Sequence, residues 1–114
     1  MGKTTKGQRW VFDADVNSTN PGEGVERKVL AYSDDAMCVA HHFKNGAIGQ
    51  VHSHPHTQIT YVATGVFEFE IEGDKKIVKT GDAMFKQSNV IHGAICLEEG
   101  TLIDFFTPMR QDFV

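Results

Sequence analysis

Three histidines lie close together in Gln50–Gln58, whose sequence reads QVHSHPHTQ. On an extended strand, His52 and His54 point to the same face, because side chains alternate with a period of two. Their imidazoles can then converge on one metal ion, although a lone His-x-His pair is only a weak indication of a metal site. Pro55 then breaks the strand, so we expect His56 to lie in the connecting turn.

The elements that position these histidines are predicted to be short strands. In Val66–Ile71, Phe67 and Phe69 lie on one face and the intervening glutamates on the other, which is typical of a half-buried antiparallel strand. No segment has a sustained helical period, so the sequence predicts a β-sandwich or a β-barrel. Nine segments rich in Val, Ile, Phe, Tyr and Thr are the candidate strands: Arg27–Tyr32, Met37–Phe43, Val51–His54, Gln58–Val62, Val66–Ile71, Lys76–Lys79, Ala83–Phe85, Val90–Cys96 and Leu102–Phe106.

The connections between these strands are rich in Gly, Pro, Asn and Asp. Asn17–Gly24, with the sequence NSTNPGEG, is predicted to be a loop. Glu72–Lys75, with the sequence EGDK, is predicted to be a tight hairpin turn between two strands.

Length and charge limit the classes of function. The chain has 114 residues, which fits one domain. A net charge of -4 argues against nucleic acid as a partner, whereas a local cation could still bind a small anion. Met1–Gln8 has no apolar stretch typical of a signal peptide, and no run approaches the length of a membrane span. We therefore expect a cytoplasmic protein that does not associate with a membrane.

Two glycines extend the histidine pattern on either side. Gly46 and Gly65 complete the spacing Gly-x5-His-x-His-x3-Gln-x6-Gly, and a later segment that begins with Gly81-Asp82 leads to His92. This pattern resembles the two motifs of the cupin superfamily, from about Val29 to Phe106. The resemblance implies an all-β, single-domain jelly-roll barrel, with an N-terminal arm and loop over residues 1–24 and the barrel with a C-terminal tail over residues 25–114.

The same resemblance implies a ligand set for one divalent transition metal ion. The matching positions are His52, His54, Gln58 and His92. Three imidazoles and one amide oxygen form a neutral set, so the ion would keep its full charge and could polarise an anionic oxygen ligand. Mixed nitrogen and oxygen ligands suit Mn, Fe, Co, Ni, Cu or Zn, and the sequence does not choose among them.

The C-terminal segment LIDFFTPMRQDFV resembles that of one cupin subgroup. The small KdgF-type cupins of pectin and alginate breakdown end in Asp-x-Phe-x-Pro-x-Arg-x-Asp. The resemblance implies ring opening of 4,5-unsaturated uronates to linear 5-keto-4-deoxyuronates. In this interpretation Arg110 clamps the substrate carboxylate, Asp104 is the general acid or base, and Phe106 packs on the sugar. A simpler interpretation pairs Arg110 with a surface carboxylate and leaves Asp104 to accept backbone hydrogen bonds.

Other histidines and other functions remain open at this stage. His41 and His42 are adjacent in a strand and face opposite ways, and a hydrogen-bonded structural role is favoured for whichever faces inward.

The alternatives to ring opening are a non-catalytic sugar-acid-binding cupin or another metal-dependent cupin enzyme, either a dioxygenase or a sugar isomerase. Because small cupins commonly dimerise, we expect a homodimer, with Val29–Tyr32 as a plausible edge strand.

Overall fold

The computed structural model describes residues 4–114, which form ten β-strands and two short 3-10 turns. The strands form two antiparallel sheets, of order β1-β2-β3-β10-β5-β8 and β4-β9-β6-β7. The predicted all-β architecture is therefore confirmed. The strands are β1 Thr19–Gly22, β2 Val25–Tyr32, β3 Met37–Phe43, β4 Ile48–His52, β5 Thr57–Val62, β6 Val66–Ile71, β7 Asp74–Lys79, β8 Ala83–Lys86, β9 His92–Glu98 and β10 Gly100–Thr107.

The main core lies between the two sheets and is built from alternating side chains. On β6, Phe67 and Phe69 are buried, as the alternation predicted. Phe67 meets Phe43 of the other sheet edge to face, with ring centroids 5.4 Å apart. Because every second residue of β3 is also buried, this strand places His41 on the inner face next to Val39. The alternation that builds the core thus also carries polar side chains into the interior.

Two turns depend on glycine. The hairpin between β6 and β7 has only Glu72 and Gly73 between the paired residues Ile71 and Asp74, and both turn residues have positive φ. This is the geometry of a type I′ turn, so the predicted hairpin is confirmed, but its turn is shorter than the predicted Glu72–Lys75 because β7 already begins at Asp74. Gly65 also has a positive φ, and a Cβ there would lie 2.7 Å from the Glu98 carbonyl oxygen.

The structure corrects several predicted boundaries; strand β9, for example, begins at His92 and not at Val90. The prediction of a loop over Asn17–Gly24 was wrong for Thr19–Gly22, which is strand β1. A Pro-containing segment fits there because β1 is an edge strand and does not need every N–H for pairing. The strand predicted at Val51–His54 instead ends at His52. The division of the chain at residue 24 into arm and barrel stays a prediction.

The predicted edge strand Val29–Tyr32 is part of β2, and the edge of the larger sheet is the short strand β1. β1 pairs with β2 between Val25 and Arg27, so Val29–Tyr32 extends past the edge strand. Lys6 forms an isolated bridge with Tyr32. Within residues 4–114, no helix is long and apolar enough to cross a membrane.

Candidate metal centre and substrate cavity

Strand pairing brings the three predicted histidine ligands together. His52 at the end of β4 is the register partner of His92 at the start of β9, and their ring centroids are 4.5 Å apart. His54 lies just beyond β4, with its ring centroid 4.9 Å from that of His92. One nitrogen from each ring lies within 4.8 Å of the others. The two stretches of sequence therefore meet in one cluster.

Backbone carbonyls select the same tautomer in all three rings. Nδ1 lies 2.6 Å from Gln50 O in His52, 3.1 Å from His56 O in His54, and 3.0 Å from Val90 O in His92. A carbonyl oxygen only accepts, so each Nδ1 carries a hydrogen, and in the neutral form of each ring Nε2 keeps the lone pair. Carbonyl partners of this kind fix the ring orientation of metal-binding histidines in proteins.

One of these lone pairs is both buried and unpaired. Nε2 of His92 has no hydrogen-bond partner among residues 4–114. Burial lowers the pKa of the His92 ring to about 4, and the positive charge of Lys86 adds to that shift. The ring is therefore neutral at physiological pH. An unsatisfied buried acceptor is unfavourable, and a bound cation would satisfy it.

Gln58 supplies the fourth donor, and its amide orientation is set by Asp104. Gln58 Nε2 donates to Asp104 Oδ1 over 2.7 Å. An ionised carboxylate only accepts, so the amide NH2 must face Asp104. Gln58 Oε1 consequently faces His54 Nε2 at 2.8 Å. Burial lowers the pKa of the His54 ring. In the neutral ring, His54 Nε2 and Gln58 Oε1 are therefore two acceptors that face each other. Three imidazole nitrogens and one amide oxygen thus fit a divalent transition metal ion.

Asp104 is a buried carboxylate with three donors from its own chain. Its oxygens accept from Gln58, from the Thr60 hydroxyl at 2.5 Å and from His41 Nδ1 at 2.7 Å. Burial alone would raise the pKa of this carboxyl. The hydrogen bond from His41, the charge of Lys86 and the Thr60 hydrogen bond outweigh burial and hold the pKa well below its usual range. Asp104 is therefore ionised.

Lys86 is the buried cation that balances this carboxylate. Its Nζ donates to the Thr60 hydroxyl, which in turn donates to Asp104. The ammonium group also lies 4.5 Å from the ring centroid of Phe69. Burial lowers the pKa of Lys86 to about 8. Lys86 thus donates to Thr60 and Thr60 donates to Asp104, which also accepts from Gln58.

The histidine cluster opens into a cavity of about 890 Å³. This volume lies within the usual range for small-molecule sites. His52, Gln58 and His92 contribute to one part of the lining, and Asp104 lies beside them. The cavity is also lined by Arg27, His41, Phe106, Arg110 and Phe113.

The C-terminal segment closes over this cavity. Phe106 is buried, with its ring centroid 5.7 Å from that of His54. Arg110 lines the cavity but forms a bidentate pair with Asp112, with N–O distances of 2.9 and 2.7 Å. Arg110 also holds the pKa of the Asp112 carboxyl below its usual range. Pairing with a nearby carboxylate, the simpler interpretation of Arg110, is therefore present in the structure.

The remaining histidines lie where the sequence indicated. His42 faces away from the core, with Nδ1 2.8 Å from Thr101 Oγ1 and Nε2 2.8 Å from Glu99. His41 faces inward, so the prediction of opposite faces is confirmed. His56 lies in the connecting turn and donates from Nε2 to Met109 O over 3.2 Å.

The sequence profile described as Cupin domain matches residues 39–105. The chain belongs to the cupin family. It is 49% identical over 109 residues to the pectin degradation protein KdgF of Dickeya dadantii (strain 3937), covering 94% of this chain and 99% of that protein.

Two solved structures share the fold of this cupin along nearly its whole length. An RmlC-like cupin from Shewanella frigidimarina NCIMB 400 superposes with a TM-score of 0.93 and 36% identity, covering 97% of this chain and 100% of that one. KdgF from a Halomonas species superposes with a TM-score of 0.88 and 36% identity, covering 92% and 97%. The predicted resemblance to KdgF-type cupins is confirmed.

Four residues of the site in this cupin escaped the sequence analysis. Arg27 and Lys86 look like ordinary strand cations, but both lie on inward faces. Lys86 lies two residues after the buried Met84 on β8, and this spacing indicated that the Lys86 side chain also faces inward. Thr60 shares the inner face of β5 with Gln58, which the alternation could have indicated. For Phe113 the sequence carries no comparable signal.

Proposed function

We propose that this cupin is a metal-dependent enzyme that opens the ring of 4,5-unsaturated uronates, yielding linear 5-keto-4-deoxyuronates. One observation carries the proposal: four convergent ligand atoms adjoin a single cavity of sugar size, and two guanidinium groups line that cavity. Sequence identity to a KdgF protein that is named for pectin degradation supports the substrate class.

The metal ligands in this proposal are His52, His54, Gln58 and His92. The ion is one of Mn, Fe, Co, Ni, Cu or Zn. When bound, a divalent ion would act as a Lewis acid on a substrate oxygen and lower the pKa of its hydroxyl group.

The proposed reaction is an isomerisation that moves one proton. The hemiacetal hydroxyl loses its proton, the bond from carbon 1 to the ring oxygen breaks, and the resulting enol becomes a ketone when carbon 4 gains a proton. Asp104 lines the cavity as an ionised carboxylate, which is the form that accepts the first proton. Arg110 and Phe106 orient the sugar, Arg110 through donors that Asp112 leaves free and Phe106 through its ring.

Loss of the unsaturated-uronate absorbance, with product identified by NMR, tests this proposal. Ring opening should accelerate in proportion to metal-loaded protein, above the spontaneous rate, and return to that rate with a chelator. His92→Ala should abolish the acceleration, whereas the exposed Asp35→Ala should not. Substrate binding without acceleration would favour a sugar-acid binder. Oxygen consumption with substrate would instead favour a dioxygenase.

The homodimer and the cytoplasmic location stay predictions. Sedimentation velocity at several protein concentrations measures the first, and fractionation of cells that express the protein measures the second.

A further inference from the structure

We propose that Arg27 binds the carboxylate of the sugar acid and selects anionic over neutral sugars. This inference rests on the proposed function and adds a residue to its site. Arg27 lies on β2 opposite His41 of β3 and lines the same cavity as Gln58 and Asp104. It is half-buried, so its charge is removed from bulk water only in part.

The guanidinium of Arg27 is held in place but not neutralised. Its Nε donates to His41 Nε2 over 3.0 Å, and its central carbon lies 3.6 Å from the ring centroid of Phe113. Neither terminal nitrogen has a hydrogen bond to a residue within 4–114, and within that range no carboxylate forms an ion pair with it. The two terminal nitrogens are the edge of the guanidinium that is available to a carboxylate.

Arg110 differs in this respect. Two of its nitrogens are already occupied by Asp112, which matches its charge. Its guanidinium stacks on Phe113 as well, 4.3 Å from the ring centroid. Burial lowers the pKa of Arg27, and the nearby charge of Arg110 adds to this shift. Two guanidinium groups that share one paired carboxylate favour a second anion. Arg27 is the one of the two whose terminal nitrogens both lack a partner among residues 4–114.

The orientation of Arg27 is linked to Asp104 through His41. Arg27 Nε only donates, so His41 Nε2 must accept. His41 Nδ1 therefore carries the hydrogen and donates to Asp104 Oδ2 over 2.7 Å. This chain and the Phe113 ring hold the guanidinium before a ligand arrives. Less conformational entropy is then lost on binding.

Isothermal titration calorimetry of the metal-loaded protein with D-galacturonate and with D-galactose tests the inference without turnover. The wild type should prefer the acid. Arg27→Gln should bind galacturonate about 10- to 100-fold more weakly, as expected for a lost hydrogen bond to a charged group, and galactose unchanged. Arg27→Lys keeps the positive charge but not the paired donors of the guanidinium group. It should therefore retain more of the preference for galacturonate than Arg27→Gln does. The exposed Arg9→Gln is the matched control.

Kinetics with an unsaturated uronate separate this inference from the proposed function. For Arg27→Gln we expect a raised KM and a much smaller change in kcat. Wild-type galacturonate affinity and KM in a folded Arg27→Gln variant would overturn the role of Arg27 and leave the ring-opening function intact. Loss of the galacturonate preference in Arg27→Gln, with no turnover by the wild type, would support Arg27 and overturn the function. A wild type that does not prefer the acid overturns the role of Arg27.

Discussion

Asp104→Ala should weaken metal binding although Asp104 is not a proposed ligand. The Gln58 amide donates to Asp104 Oδ1 over 2.7 Å within a buried network. A hydrogen bond to a charged group contributes about 1.5–3 kcal/mol. Without this bond the amide can rotate, so that its NH2 donates to His54 Nε2. That rotation would occupy one proposed ligand and turn another away.

The expected result is a metal affinity about 10- to 100-fold below wild type, the range seen when partners of metal ligands are removed. Competition between apo protein and a chromophoric chelator for Zn²⁺ measures this affinity. Asp35→Ala, which removes an exposed carboxylate, is the control and should bind Zn²⁺ like the wild type.

Folding must be measured alongside, because Asp104→Ala leaves Lys86 buried without its carboxylate. Such a loss can destabilise a protein by about 3–5 kcal/mol. Asp104→Asn keeps the shape and can still present an oxygen to Gln58. It should retain Zn²⁺ affinity near that of wild type but lose turnover, because the carboxylate is gone. A folded Asp104→Ala variant with wild-type Zn²⁺ affinity would refute the proposed orientation of Gln58.

Three further measurements probe the site and the fold. Zn²⁺ at 100 times its dissociation constant should stabilise the apo protein by about 2.7 kcal/mol; an unchanged Tm would contradict a metal site. The pKa of Lys86 is lowered to about 8 from 10.5, so the unfolded chain binds more protons between these pH values and stability rises there by about 3 kcal/mol. Lys86→Met should remove this rise in chemical denaturation, and the exposed Lys79→Met should keep it. Gly65→Ala should destabilise by about 3 kcal/mol, because a positive φ and close backbone contacts add. Gly73→Ala, with positive φ but open space, should cost about 1 kcal/mol; equal losses would show that packing at Gly65 is loose.

Most of the strands could be predicted because alternation records which face is buried. Met37–Phe43 and Val66–Ile71 were predicted with their observed bounds. β1 was missed because Asn, Pro and Gly indicate a loop by composition, whereas an edge strand tolerates them. The strand argument for His54 was also wrong in detail. His54 lies beyond β4, and the turn that contains Pro55 brings its ring towards His92.

The site was predictable where its residues lie close in sequence and less so where strands bring them together. The spacing of His52 and His54 was a weak indication of a metal site, and the resemblance to the cupin motifs strengthened it. The orientation of Gln58, however, depends on Asp104, which is 46 residues away. Lys86 reaches the same network from β8 through Thr60. A pattern along the chain does not contain these contacts, because they depend on the order of β10, β5 and β8 in the sheet.

The two oxygens of Asp104 connect two halves of the cavity. Oδ1 accepts from Gln58 on the side of the histidine cluster, and Oδ2 accepts from His41, which holds Arg27 on the other side. The charge of Asp104 is balanced by the buried Lys86, so Arg27 remains without a carboxylate partner among residues 4–114. A metal ion on the four neutral ligands would be a second positive centre. With that ion bound, the cavity would be electropositive although the chain carries a net charge of -4. A sugar acid can satisfy both centres at once, with its carboxylate on one and a hydroxyl or carbonyl oxygen on the other, and a neutral sugar can satisfy only one.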